Sequence, residues 1–95
     1  MPELAFYRHG EELLRVAVAD RCTLGRAPEC DVSLPDPALS RVQAEIERRG
    51  DRFFIVDRSG RGIRVGGDPV PEAPLADGSD VALGAWRLLF RARGA

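Results

Sequence analysis

No lysine and no asparagine occur in this chain, and it has a single histidine, two cysteines and few aromatic residues. Each scarcity removes a class of function. One histidine with Cys22 and Cys30, spaced neither as CxxC nor as a zinc set, cannot complete a metal site, so no metal and no cofactor are expected. The two cysteines read as free thiols in a reducing compartment. No apolar run approaches the length of a membrane span, and Met1-Pro2-Glu3 opens neither a basic region nor an apolar one, so the expected location is cytoplasmic. Aromatics at 6% and a net charge of −1 give no support to a nucleic-acid groove or a lipid-binding face. Any electrostatic recognition has to be local.

What is present is a globular composition, 44% hydrophobic and 31% charged, in 95 residues, enough for one domain. The apolar runs are short and cut by Gly, Pro and Asp. Leu4–Tyr7, Leu13–Ala19, Cys22–Gly25, Asp31–Leu34, Gln43–Arg48, Phe53–Val56, Ile63–Val65, Val81–Leu83 and Trp86–Phe90 read as strands, with turns at His9-Gly10, Arg49-Gly50-Asp51 and Asp77-Gly78. Residues 11–19 could also make two helical turns, but their valines and all-β surroundings favour a strand. In Gln43–Arg48 the period of two turns Ala44 and Ile46 inward and Gln43, Glu45 and Glu47 outward. The proline-rich run 69–74 has room for at most an edge strand. The expected fold is all-β, a two-sheet sandwich of about ten to eleven short, mostly antiparallel strands.

The informative residues lie between those strands. Leu24-Gly25-Arg26 is followed by Cys30-Asp31-Val32-Ser33-Leu34, then by Leu39-Ser40-Arg41-Val42-Gln43-Ala44-Glu45-Ile46. Near the end stands Leu75-Ala76-Asp77-Gly78-Ser79-Asp80-Val81-Ala82-Leu83-Gly84. This series resembles the forkhead-associated (FHA) family, whose signature runs Gly-Arg, Asp-apolar-x-Leu, Ser-Arg-x-His-Ala-x-Ile and Leu-x-Asp-Gly-Asp-x-apolar-x-apolar-Gly. The resemblance covers nearly the whole chain. It implies a SMAD/FHA-like sandwich whose loops recognise a partner protein at a phosphothreonine. It carries Arg26 and Ser40 over as phosphate contacts, with Arg41 as a third, and Gly60 and Arg61 as peptide contacts. Gly25, Gln43, Asp57 and Gly62 then support the loops, Gly25 by letting the backbone turn so that Arg26 points at the site.

The chemistry is apt. A phosphothreonine brings about −1.5 to −2 charges and three acceptor oxygens. Arg26 offers the planar fork of donors that lysine lacks, Ser40 a hydroxyl with a backbone N–H beside it, and Arg41 a second charge. Two or three such bonds anchor a short peptide in the micromolar range, about −8 kcal/mol. Singly, each residue also has an ordinary reading: Arg26 as a surface ion pair with Asp31 or Glu29, Ser40 as a turn cap.

The chain departs from the family pattern at two places. Gln43 stands where the family has a bracing His. In the run after Asp57, one residue shorter than usual, Arg61 falls on the first Asn and Ile63 on the Thr of Asn-Gly-Thr. That Asn side chain both gives and takes hydrogen bonds along the peptide; Arg61 only gives. Two functions follow: a phosphothreonine binder with altered peptide preference, or a phosphorylation-independent interaction module on the same fold. No catalytic role is expected. His9 sits in a turn, Cys22 in a strand, and Cys30 has no His beside it to activate it. The whole of 1–95 reads as one module, the N-terminal part of a longer bacterial protein, and as a monomer.

Overall fold

The structure is a computed structural model, and it describes residues 1–92. Among the described residues nine strands form: β1 (Glu3–Arg8), β2 (Glu11–Ala17), β3 (Arg21–Gly25), β4 (Val32–Ser33), β5 (Ala44–Arg49), β6 (Arg52–Asp57), β7 (Glu72–Leu75), β8 (Asp80–Leu83) and β9 (Trp86–Arg91). They build two sheets, one of four strands in the order β2-β1-β9-β8 and one of five in the order β4-β3-β5-β6-β7. Among these strands only β3 and β4 pair in parallel, Leu24 opposite Val32. The expected strand at 63–65 is reduced to isolated bridges, Ile63 with Val70 and Arg64 with Ala82. Pro74 lies in β7, at the edge of its sheet, where a missing N–H costs no ladder bond.

Alternation sets what is buried. Leu4 and Phe6 of β1 meet Leu88 and Phe90 of β9 on the inner face, opposite Leu24, Ile46 and Ile55 of the other sheet, all at most 1% exposed. Each such side chain contributes roughly 1.5–3 kcal/mol by leaving water. Leu34, Leu39 and Ile63 belong to the same core although they lie outside the strands. These three apolar plugs tie the long loops to the scaffold.

One expectation fails on β5. Glu45 is on the outer face yet only 3% exposed. Arg21 of β3 and Arg58 after β6 close over it, Arg21 through Nε and Arg58 through Nε at 3.1 Å. Hydrogen bonding from Arg21 outweighs burial and, with Arg58, holds the Glu45 carboxyl below the usual carboxylate range. An outward position became a buried one because β3 and the segment after β6 each supplied an arginine.

Candidate phosphopeptide site

The register fixes which loops share an end. Gly25 closes β3 where Ala44 opens β5, and Ala44 faces Asp57 at the close of β6. Segments 26–43 and 58–71 therefore leave the same end of their sheet. The turn at Gly84, between β8 and β9, joins them: a Cβ on Gly84 would stand 3.3 Å from Leu39 Cδ2.

Two of these strands of chain are locked together at Gly25. Its φ is unremarkable; its need is for space. A Cβ there would lie 2.2 Å from the Arg41 carbonyl oxygen and 2.9 Å from Gln43 N. The expected reason, freedom to turn, gives way to close approach. Around this contact Arg26 N–H donates to Ser40 O at 3.0 Å, Ala27 N–H to Arg41 O at 3.0 Å, and Gln43 N–H to Leu24 O at 2.7 Å. The Cys30 thiol adds a bond to Arg41 O at 3.3 Å. That is what Cys30 does here. Burial pushes the Cys22 thiol up to about 11, so its nucleophilic thiolate is scarce at neutral pH.

The Leu39–Ser40 peptide group is held from both sides. Arg26 Nε–H donates to Leu39 O at 3.1 Å, and Ser40 N–H donates to Gln43 Oε1 at 2.8 Å. Gln43 O also accepts from Arg58 N–H at 3.1 Å, so one glutamine links β3, the Ser40 loop and the segment after β6. At the family's bracing position the amide thus supplies a hydrogen-bond acceptor to the Ser40 loop. The Ser40 N–H is thereby spent on the loop. Among the described residues the Ser40 hydroxyl and the Nη groups of the exposed Arg26 make no hydrogen bond. Arg26 pairs with neither Asp31 nor Glu29. Asp31 accepts instead from Thr23 N–H at 2.9 Å, and Glu29 pairs with Arg41 at 3.0 Å. Both ends of that Arg41 pair are well exposed, 60% and 72%, so a phosphate can compete for it.

Asp57 builds the third loop. Its carboxylate accepts from Ser59 N–H (3.0 Å), Ser59 Oγ–H (2.6 Å), Gly60 N–H (2.9 Å) and Gly62 N–H (3.1 Å). Burial pushes its pKa up, but these bonds, led by the Ser59 hydroxyl, together bring it below the usual aspartate range. Gly62, at φ +87°, lies against Pro69, 2.6 Å from where its Cβ would be, so no other residue fits this turn without strain. Arg61 sits exposed between Gly60 and Gly62.

Sequence reasoning missed a buried brace under the loop. Asp36 is 5% exposed and accepts from Trp86 Nε1–H at 3.1 Å and from Ala38 N–H at 2.9 Å. Arg8 stands 3.7 Å from the same carboxylate and stacks over the Trp86 ring at 5.4 Å. It ties the Ser40 loop to the opposite sheet. The only signal for it was a lone Asp between two prolines, at Pro35-Asp36-Pro37.

Comparison with known proteins agrees with this geometry. The family model described as FHA domain matches residues 22–84. This chain belongs to the FHA family. The domain is therefore a protein-interaction module of the FHA kind, and its sandwich is the FHA sandwich. The chain is 42% identical over 67 residues to the glycogen accumulation regulator GarA of Mycolicibacterium smegmatis, a match covering 70% of this chain and 42% of that one. It is 37% identical over 67 residues to an oxoglutarate dehydrogenase inhibitor of Corynebacterium jeikeium, covering 70% of this chain and 46% of that one. It spans less than half the length of these relatives. Among solved structures, the FhaA FHA domain complexed with the intracellular domain of Rv3910 superposes with TM-score 0.77 at 28% identity, over 96% of this chain and 100% of that one. An FHA domain from a study of phosphothreonine-dependent interactions superposes with TM-score 0.80 at 27% identity, over 99% and 98%.

Proposed function

We propose that this FHA domain docks a partner protein by seating a phosphothreonine between the Nη donors of Arg26 and the hydroxyl of Ser40, with Arg41 adding charge at the rim. The observation that carries the reading is the pair of bonds from Arg26, backbone to Ser40 O and Nε to Leu39 O. They join the guanidinium and the hydroxyl while leaving the phosphate-binding donors free. Arg61 and Gly60, held by the Asp57 turn, flank the bound peptide. The domain acts by binding alone, without catalysis, metal or cofactor, as a monomer in the cytoplasm. The chain forms a single FHA module. The regulator and the dehydrogenase inhibitor among its relatives support a partner whose activity is adjusted by docking.

The test is calorimetric titration with a phosphothreonine peptide and its unphosphorylated twin. The phosphorylated peptide is expected to bind at micromolar Kd. Arg26→Ala should weaken it roughly ten- to a hundredfold, the worth of one charge-assisted bond. Equal affinity for both peptides, untouched by Arg26→Ala, would instead establish the phosphorylation-independent module, which the loss of the family's Asn at Arg61 favours.

A further inference from the structure

Beside the phosphate-binding residues lies a groove of about 340 Å³, bounded by Leu39, Gln43, Arg61, Arg64, Ala82 and Gly84. It abuts the Ser40 loop through Leu39 and Gln43. No carboxylate lines it, but two arginines do.

Of the other arginines around this end of the molecule, Arg26 belongs to the phosphothreonine site and three more are paired with carboxylates. Arg58 is spent on Glu45, Arg8 on Asp36, and Arg41 on Glu29. Arg61 makes no side-chain hydrogen bond among the described residues; its backbone N–H is held by Ser59 Oγ at 3.1 Å. Arg64 makes one, to Gly67 O at 3.3 Å, and its own carbonyl accepts from Ala82 N–H at 3.0 Å. Both guanidinium groups are exposed on anchored backbone, where chain entropy is already lost before a ligand arrives. A chain of net charge −1 that leaves two unpaired positive charges in one groove has a local surplus for an anion.

We infer that this groove is a second anionic subsite, which takes a carboxylate or a second phosphate of the peptide within a few residues of the phosphothreonine. The inference rests on the phosphothreonine reading for its alignment, since an extended peptide leaving Ser40 crosses Arg61 and Arg64 at about 3.3 Å per residue. Arg61, at the position of the family's amide, then contributes selectivity for charge instead of a give-and-take backbone contact.

The experiment measures Kd by fluorescence anisotropy for three groups of phosphothreonine peptides: one peptide with neutral flanks, a set with Asp scanned through the flanks, and a set with a second phosphothreonine scanned likewise. Unphosphorylated twins are run beside them. An acidic group at the best position is expected to tighten binding about fivefold, between an exposed ion pair and a full charge-assisted bond. The acidic-to-neutral ratio should fall to about one in Arg61→Gln/Arg64→Gln, partway in each single variant, and stay at its wild-type value in Arg52→Gln. The last removes the same charge at the opposite end of the sandwich. A larger gain from the second phosphate than from Asp would assign the subsite to phosphate; equal gains would assign it to any anion. A ratio near one in the wild type, or a ratio that Arg52→Gln also erases, overturns the subsite. A neutral phosphopeptide that binds no better than its twin fails the phosphothreonine reading alone. In that case an acidic preference among the unphosphorylated peptides, lost with Arg61 and Arg64, still upholds the subsite, and its absence overturns it.

Discussion

Gly25 carries the tightest constraint at the scale of the single residue. Replacing it with alanine puts a methyl group 2.2 Å from the Arg41 carbonyl oxygen, and that oxygen is itself fixed by Ala27 N–H and the Cys30 thiol. The backbone has to part where Arg26 meets Ser40. Gly25→Ala is expected to cost at least ~2 kcal/mol, a fall in Tm of roughly 8 °C or more, and to weaken phosphopeptide binding with it. Gly10→Ala serves as the comparison. It meets nothing within 4 Å, suffers only the strain of φ +76°, about 1 kcal/mol, and should leave binding intact. Thermal melts with peptide titrations read both. A Gly25→Ala protein that melts and binds like Gly10→Ala would show that the two loops are not held by this contact. The glycine was legible as a motif residue, but its reason was not, because the atom it avoids lies sixteen positions away in the chain.

The elements best read from sequence are those whose partners are adjacent in the chain. The hairpins β1–β2, β5–β6 and β8–β9 followed from the short apolar runs and, in the first two, from the turn residues Gly10 and Gly50. Burial imposed from across a sheet escaped: Glu45 by way of Arg21 and Arg58, Asp36 by way of Trp86, fifty residues later. The turn after Asp57 stands between these cases, since the Asp and its glycines were visible but its fourfold hydrogen bonding was not. Its acid response follows. Asp57 and Glu45 both have folded pKa values below their unfolded ones, so their stabilisation is complete above the unfolded values, near pH 4, and is lost as pH falls through the folded values. Urea unfolding of the wild type should give a level stability from about pH 5 to 7 and a decline below about pH 4. Asp57→Asn should flatten part of that decline and lower stability at pH 7. An unchanged acid limb in Asp57→Asn would remove Asp57 from the account.

The whole molecule separates scaffold from recognition along one axis. Every strand pair that frames the site delivers its loop to the end where β3 stops and β5 begins, while the Arg49–Arg52 turn occupies the other end. Leu34, Leu39 and Ile63 anchor the loops from beneath, and Asp36 binds them to the far sheet through Trp86. With the loops fixed this way, the free donors at the rim need little rearrangement to meet an anion. Amide-resolved NMR titration with a phosphothreonine peptide tests this most directly. The expected shifts concentrate at Arg26 and its Nε–H, at Ser40 and Arg41, and across Gly60 to Arg64, with the Arg49–Arg52 turn and the outer face of the four-stranded sheet unmoved. Shifts confined to that outer face or to the opposite end, with Arg26 and Ser40 silent, would contradict it.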